Sequence, residues 1–300
     1  MNTSHAFGTT GGILLLLLGA QGITGNLHAQ AGGKTPPTLS PAVLQRIEAA
    51  VPSAARVQPR QPRRVLVFWR CEGFFHGEGI AGGNRALELM GRKTGAFTAD
   101  FSDDYRTLQA DNLAKYDALI LNNTTQLKMP DDATKQAVLD FVRKGKGFVG
   151  IHAATDCFYD WPEAAAMVGG LFDGHPWNAG GTWAFKIDEP THTLNQAWEG
   201  KGFKLRDEIY QFKAPYTRAD RRVLVSLDLS DPTTGGIKNG VKRTDGDFAV
   251  AWIKKFGQGR VFYCSLGHAE NVFEDRAVLR FYLDGIQYAL GDLEADASPR

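Results

Sequence analysis

Residues 147–156 read Gly147-Phe148-Val149-Gly150-Ile151-His152-Ala153-Ala154-Thr155-Asp156, a short apolar run bracketed by glycines that stops at a histidine. An apolar run of this length between turn-forming residues predicts a buried strand. The small residues after it mark a sharp turn into the next element. In an open parallel sheet, ligands sit at the carboxyl ends of the strands, which makes His152 a candidate site residue.

The flanking chain repeats this cadence. Residues 64–69, 97–101 and 118–123 read as strands, with a helical pattern over 83–92 after the first and another over 131–143 after the third. The second helix has an acidic start and apolar positions at Ala137, Val138, Phe141 and Val142, as a helix packed on a sheet requires. Strand and helix in alternation predict an α/β fold with a doubly wound, mostly parallel sheet. Residues 183–188, 223–228, 249–254 and 260–265 read as further strands joined by loops, and 275–290 as a closing amphipathic helix. The prediction is a single domain over 63–291 with additional edge strands, followed by a tail over 292–300.

Residues 12–20 carry a run of leucines too short to span a bilayer as a mature helix. Ala29-Gln30-Ala31 supplies the small-x-small pattern of a signal-peptidase site. A cleaved signal peptide over 1–31 is therefore expected, with a periplasmic or secreted product and no mature transmembrane segment. The n-region departs from the usual pattern in lacking Lys and Arg. Residues 32–62, rich in Gly, Pro, Ala and Gln, read as a linker or a surface wrap that could hold a helix over 41–50.

Composition bounds the partners. With 34 basic and 33 acidic side chains the formal net charge is +1, so there is no concentrated basic field for nucleic acid. No GxGxxG follows the first strand, so no nucleotide cofactor is expected. Cys71, Cys157 and Cys264 show no metal-binding spacing and read as free thiols. Nothing in these numbers opposes a homo-oligomer.

Several segments end on groups suited to ligation or acid–base chemistry: His76 and Glu78; His152 and Asp156; His175 before a proline; Asp207, Glu208 and Tyr210; His268 and Glu270. Imidazole and carboxylate ligands suit a divalent metal, zinc or similar, and an open coordination position would permit hydrolysis or proton transfer. The proposed ligand set is His152, His175, Glu208 and His268. Histidine titrates near neutral pH, so His268 paired with Glu270 or with Glu208 is the expected general acid/base, with His152 completing the catalytic group. His76, Asp156, Trp161, Trp177 and Tyr210 are the candidate substrate contacts, the last three as surfaces on which a sugar ring could stack.

Phe74-Phe75-His76, Gly150-Ile151-His152-Ala153-Ala154-Thr155-Asp156, Tyr159-Asp160-Trp161-Pro162, Gly174-His175-Pro176, Asp207-Glu208-Ile209-Tyr210 and Leu266-Gly267-His268 occur in that order. Together they resemble the ThuA-like (trehalose-utilisation) family. The resemblance implies a flavodoxin-like sheet similar to class I glutamine amidotransferases and a role in carbohydrate metabolism. Where that superfamily places a cysteine nucleophile, this chain has His152, while His268-Ala269-Glu270 resembles the amidotransferase His-Pro-Glu. Without a thiolate the acyl-enzyme route is lost, so the chain is not expected to be a glutamine amidotransferase. One departure is Asp247-Phe248, where family members often carry Asp-His-Pro. The expected function is a sugar-directed hydrolase, lyase or isomerase with a small carbohydrate ligand. The alternative is a non-catalytic carbohydrate-binding or accessory protein on the same fold.

Overall fold

The computed structural model describes residues 1–3 and 34–300, so the signal peptide expected over 1–31 lies, beyond residue 3, outside the described residues. The chain runs α1 (Pro41–Ala50), β1 (Arg64–Phe68), α2 (Gly77–Thr94), β2 (Thr98–Ser102), α3 (Ala110–Leu113), β3 (Ala118–Asn122), α4 (Asp132–Arg143), β4 (Gly147–Ile151) and α5 (Pro162–Val168). It continues through β5 (Leu171–Phe172), β6 (Thr182–Ile187), β7 (Phe203–Arg206), β8 (Phe212–Lys213), β9 (Arg222–Leu227), β10 (Ala249–Phe256), β11 (Gly259–Cys264) and α6 (Arg276–Ala289).

Nine strands form one sheet in the order β2-β1-β3-β4-β11-β10-β9-β6-β7. Pairing is parallel from β2 to β11 and antiparallel from β11 to β7. Only β10 and β6 run against the others, so the sheet is mostly of one sense with an antiparallel flank. The β4 strand lies between β3 and β11 and is buried along its whole length, which is why it reads as a continuous apolar run.

The β1 side chains divide with period two. Val65 and Val67 join a core shared with α1, α2 and α6, while Leu66 and Phe68 join one shared with α3, α4 and α5. Local sequence starts the helices. Asp131 accepts from Thr134 N at the start of α4, and Asp275 from Ala277 N and Val278 N at the start of α6.

One helix boundary changes, and three short strands are added. The helix expected over 83–92 begins at Gly77, because Glu78 near its start and glycine-rich packing extend it back to the first loop. Strands β5, β7 and β8, of two, four and two residues, are too short to be read from sequence.

Residues 34–62 are a wrap built into the body. Ser40 caps α1, whose Val43, Ile47 and Ala50 enter the core, and Arg56 lies 2.6 Å from the fully buried Asp284 carboxylate. The tail is docked too. Leu293 is buried, Asp292 lies 2.6 Å from Arg63, and Asp296 lies 2.9 Å from Arg222. The packed body therefore extends past both ends of 63–291. Both ends combine a few apolar anchors with Arg–carboxylate pairs, and hydrophobic periodicity does not register the pairs. Among the described residues no helix is long and apolar enough to cross a membrane.

Because Ile47 is fully buried, Ile47→Ala should lower the unfolding free energy by about 2–4 kcal/mol, measured by chemical denaturation. A change near zero would mean that α1 is not part of the cooperative unit.

Candidate metal centre

The β4 strand ends at His152, whose φ of 48° lies in the left-handed region, uncommon for a residue with a side chain. The turn is held by its neighbours. The Tyr263 hydroxyl donates to the His152 carbonyl at 2.7 Å. His152 Nδ1 lies 2.6 Å from the Ser265 carbonyl oxygen, and a carbonyl only accepts. Nδ1 therefore carries the proton. In the neutral ring Nε2 then presents a lone pair to the site, where it is buried without a hydrogen-bond partner.

Opposite lies Glu208, just past the end of β7. Its Oε2 is 3.6 Å from His152 Nε2 and 3.2 Å from His268 Nδ1, and its Oε1 is 3.2 Å from His175 Nδ1. His268 follows β11 on a loop that Asp207 fastens by accepting from Gly267 N at 2.8 Å and His268 N at 3.1 Å. His76 closes the group from the residue before α2, buried, with Nδ1 unpartnered. The rings of His76, His152 and His268 stand mutually edge-to-face, with centroids 4.9, 5.1 and 5.3 Å apart and interplanar angles of 80°, 89° and 82°.

The electrostatics separate these groups. Burial, aided by the neighbouring His152 and His268 imidazoles, pushes the His76 pKa down to about 2, so its ring is neutral at ordinary pH. Burial opposes ionisation of Glu208, but the His152 and His268 rings outweigh it and hold the carboxyl well below the usual range. For His268 burial disfavours the imidazolium, and the Glu208 carboxylate more than compensates. One ligand atom from each of His76, His152, Glu208 and His268 lies within 4.8 Å of all the others.

Once deprotonated, the imidazoles would present lone pairs beside one carboxylate, a donor set suited to a divalent ion. The Ser265 carbonyl behind His152 is the outer contact that orients a metal-bound histidine. On chemistry and on the orphaned His152 Nε2, the residues fit such an ion.

The four-group cluster differs from the sequence expectation in one member. His76 occupies the place given to His175, while His175 sits on the far oxygen of Glu208 with its side chain 47% exposed. The carboxylate beside His268 is Glu208. Glu270 instead lies against α2 at Gly82, because the turn after β11 points it at that helix, and its nearness raises the Glu78 pKa.

The aromatic contacts are also redistributed. Trp177 is fully buried against Phe248, and Trp161 packs edge-on to Phe158 in the core beneath the sheet. Neither offers a ring face to a sugar, because each fills the core. Tyr210 is buried with its ring 4.4 Å from that of His152, so it backs the imidazole. Asp156 is mostly buried and accepts from the Tyr159 hydroxyl.

Three supporting roles were not assigned from sequence: Asp207 as the anchor of the His268 loop, Asn123, whose side chain donates to the Gly267 carbonyl at 3.1 Å, and Phe74, exposed beside His76 and His268. Asn123 stands at a strand end, which was the available signal.

The ThuA family profile, described as trehalose utilisation, matches residues 64–289. Among solved structures, a ThuA-like protein of Bacteroides uniformis is similar with a TM-score of 0.63 at 23% identity, covering 77% of this chain and 92% of that one. A ThuA-like protein of Parabacteroides merdae gives 0.58 at 20% identity, covering 80% and 98%. At these identities the structures support the shared fold. No curated protein matches the chain.

The cluster depends on α2 lying close to the His268 loop. A Cβ on Gly79 would stand 2.5 Å from the Gly267 carbonyl oxygen and 2.6 Å from that of His268, both backbone atoms. Gly79→Ala should therefore destabilise the fold by about 1–3 kcal/mol in denaturant titrations and displace the His76 and His268 side chains in a crystal structure. Wild-type stability with an unmoved cluster would contradict this packing.

Proposed function

The chain belongs to the ThuA (trehalose utilisation) family, and from that premise we propose that it is an enzyme acting on a small sugar or keto-sugar, with a divalent metal held by His76, His152, Glu208 and His268. Family membership supports a carbohydrate-related role. The observation that carries the finer reading is the fixed His152 tautomer, which turns an unpartnered Nε2 toward the Glu208 carboxylate. Two acceptors that face each other in a buried space require a proton or a cation between them.

Bound there, zinc or a similar ion would supply Lewis acidity toward a sugar carbonyl or hydroxyl. The protein groups supply orientation and proton transfer. Tyr210 and the Ser265 carbonyl hold His152 in one pose. His175, half exposed and 3.2 Å from Glu208 Oε1, is placed to carry a proton between the centre and solvent.

A thiol route has no support in the geometry. The Cys157 Sγ donates to the Thr124 carbonyl and hydroxyl oxygens, each at 3.1 Å, and burial raises its pKa far above neutrality. Proton transfer beside a sugar carbonyl, as in a lyase or an isomerase, or metal-assisted hydrolysis, is the class this set serves. The amino-terminal apolar run and Ala29-Gln30-Ala31 support export to the periplasm or beyond.

Metal analysis of the purified protein tests the reading. The expected result is roughly one equivalent of a divalent metal in the wild type, lost in His152→Ala. Sugar-dependent turnover should disappear on chelation and return on metal addition. A wild type that takes up no zinc, manganese, iron or nickel, with activity intact in His152→Ala, would overturn it.

A further inference from the structure

Two large aromatic side chains are exposed among the described residues, Phe74 and Tyr159. Tyr159 is already engaged: its hydroxyl donates to Asp156 and the Lys213 ammonium sits 5.0 Å from its ring centroid. Phe74 is different. Its ring is an uncharged apolar surface, the residue is 64% exposed, and it borders two members of the His/Glu cluster. It meets His76 edge-on at 4.7 Å and runs nearly parallel to His268, at 21° and 6.3 Å.

The backbone beneath this ring is fixed. Glu72 N donates to the Thr125 carbonyl at 2.9 Å, Gly73 N donates to the Thr125 hydroxyl oxygen at 3.2 Å, and that hydroxyl donates to the Phe74 carbonyl at 2.9 Å. The next residue, Phe75, turns the other way, with Lys34 5.7 Å from its ring centroid. The loop therefore holds one phenylalanine out in water, at the mouth of the cluster, on an ordered support.

A pyranose has C–H groups on its ring faces and hydroxyls around its edge. An aromatic ring binds the C–H face and leaves the edge hydroxyls free to reach polar groups. The polar groups nearest the Phe74 ring are the His76 and His268 imidazoles. An open-chain polyol has the same hydroxyls but no rigid C–H face. We propose that Phe74 is the platform for the apolar face of the substrate ring, and so the residue that selects pyranoses over open-chain polyols at this site. The assignment rests on the carbohydrate reading above and gives Phe74 the task that Trp161 and Trp177, both in the core, cannot perform.

Calorimetric titration of zinc-loaded protein with glucose, trehalose and sorbitol tests it. The wild type should bind the ring sugars at least about tenfold more tightly than sorbitol, the scale of one aromatic contact. Phe74→Ala should abolish that ratio while bound zinc stays at the wild-type level, and Phe74→Tyr should restore it. The proposal is overturned if Phe74→Ala keeps the ratio, if it loses zinc together with the sugar preference, or if the wild type binds neither ring sugar. A protein that binds no metal yet shows a Phe74-dependent preference for rings would sink the metal reading and leave the platform standing.

Discussion

The hydrogen bond from His152 Nδ1 to the Ser265 carbonyl, 2.6 Å long and fully buried, is the contact on which the rest of the centre depends. It joins the ends of two adjacent parallel strands, β4 and β11, and fixes both the tautomer and the direction of the imidazole. The strained turn at His152 becomes tolerable because this bond and the Tyr263 hydroxyl hold it from both sides. Every other member is placed relative to that ring: Tyr210 behind it, Glu208 in front, and His76 and His268 at right angles to it.

The parallel half of the sheet explains how residues so far apart in sequence converge. The β1, β3, β4 and β11 strands lie side by side and end on the same edge, so the loops after them share one rim. His76, Asn123, His152 and His268 each follow one of these strands. Glu208 arrives from the antiparallel flank, and its neighbour Asp207 ties that flank to the His268 loop through two backbone amides. The centre therefore straddles the junction between the parallel and antiparallel parts, and neither part alone contains both the imidazoles and the carboxylate.

The parallel layer was legible in sequence because buried central strands are uninterrupted apolar runs and the helices between them have period and caps. The strand-end histidines were legible for the same reason. What sequence could not convey was direction. His76 and His175 are both loop histidines beside small residues, and only the placement of α2 against Gly267 brings His76 inward and leaves His175 at the surface. Trp161 and Trp177 carried a carbohydrate signal by residue type, yet their size made them core residues. Phe74, ordinary by type, stands exposed at the mouth because Thr125 binds the backbone around it.

The most direct test of this arrangement compares His76→Ala with His175→Ala by metal stoichiometry, both variants being loaded with zinc and desalted under the same conditions. The account predicts that His76→Ala retains little zinc, while His175→Ala retains the wild-type amount. Retention by His76→Ala together with loss from His175→Ala would contradict it.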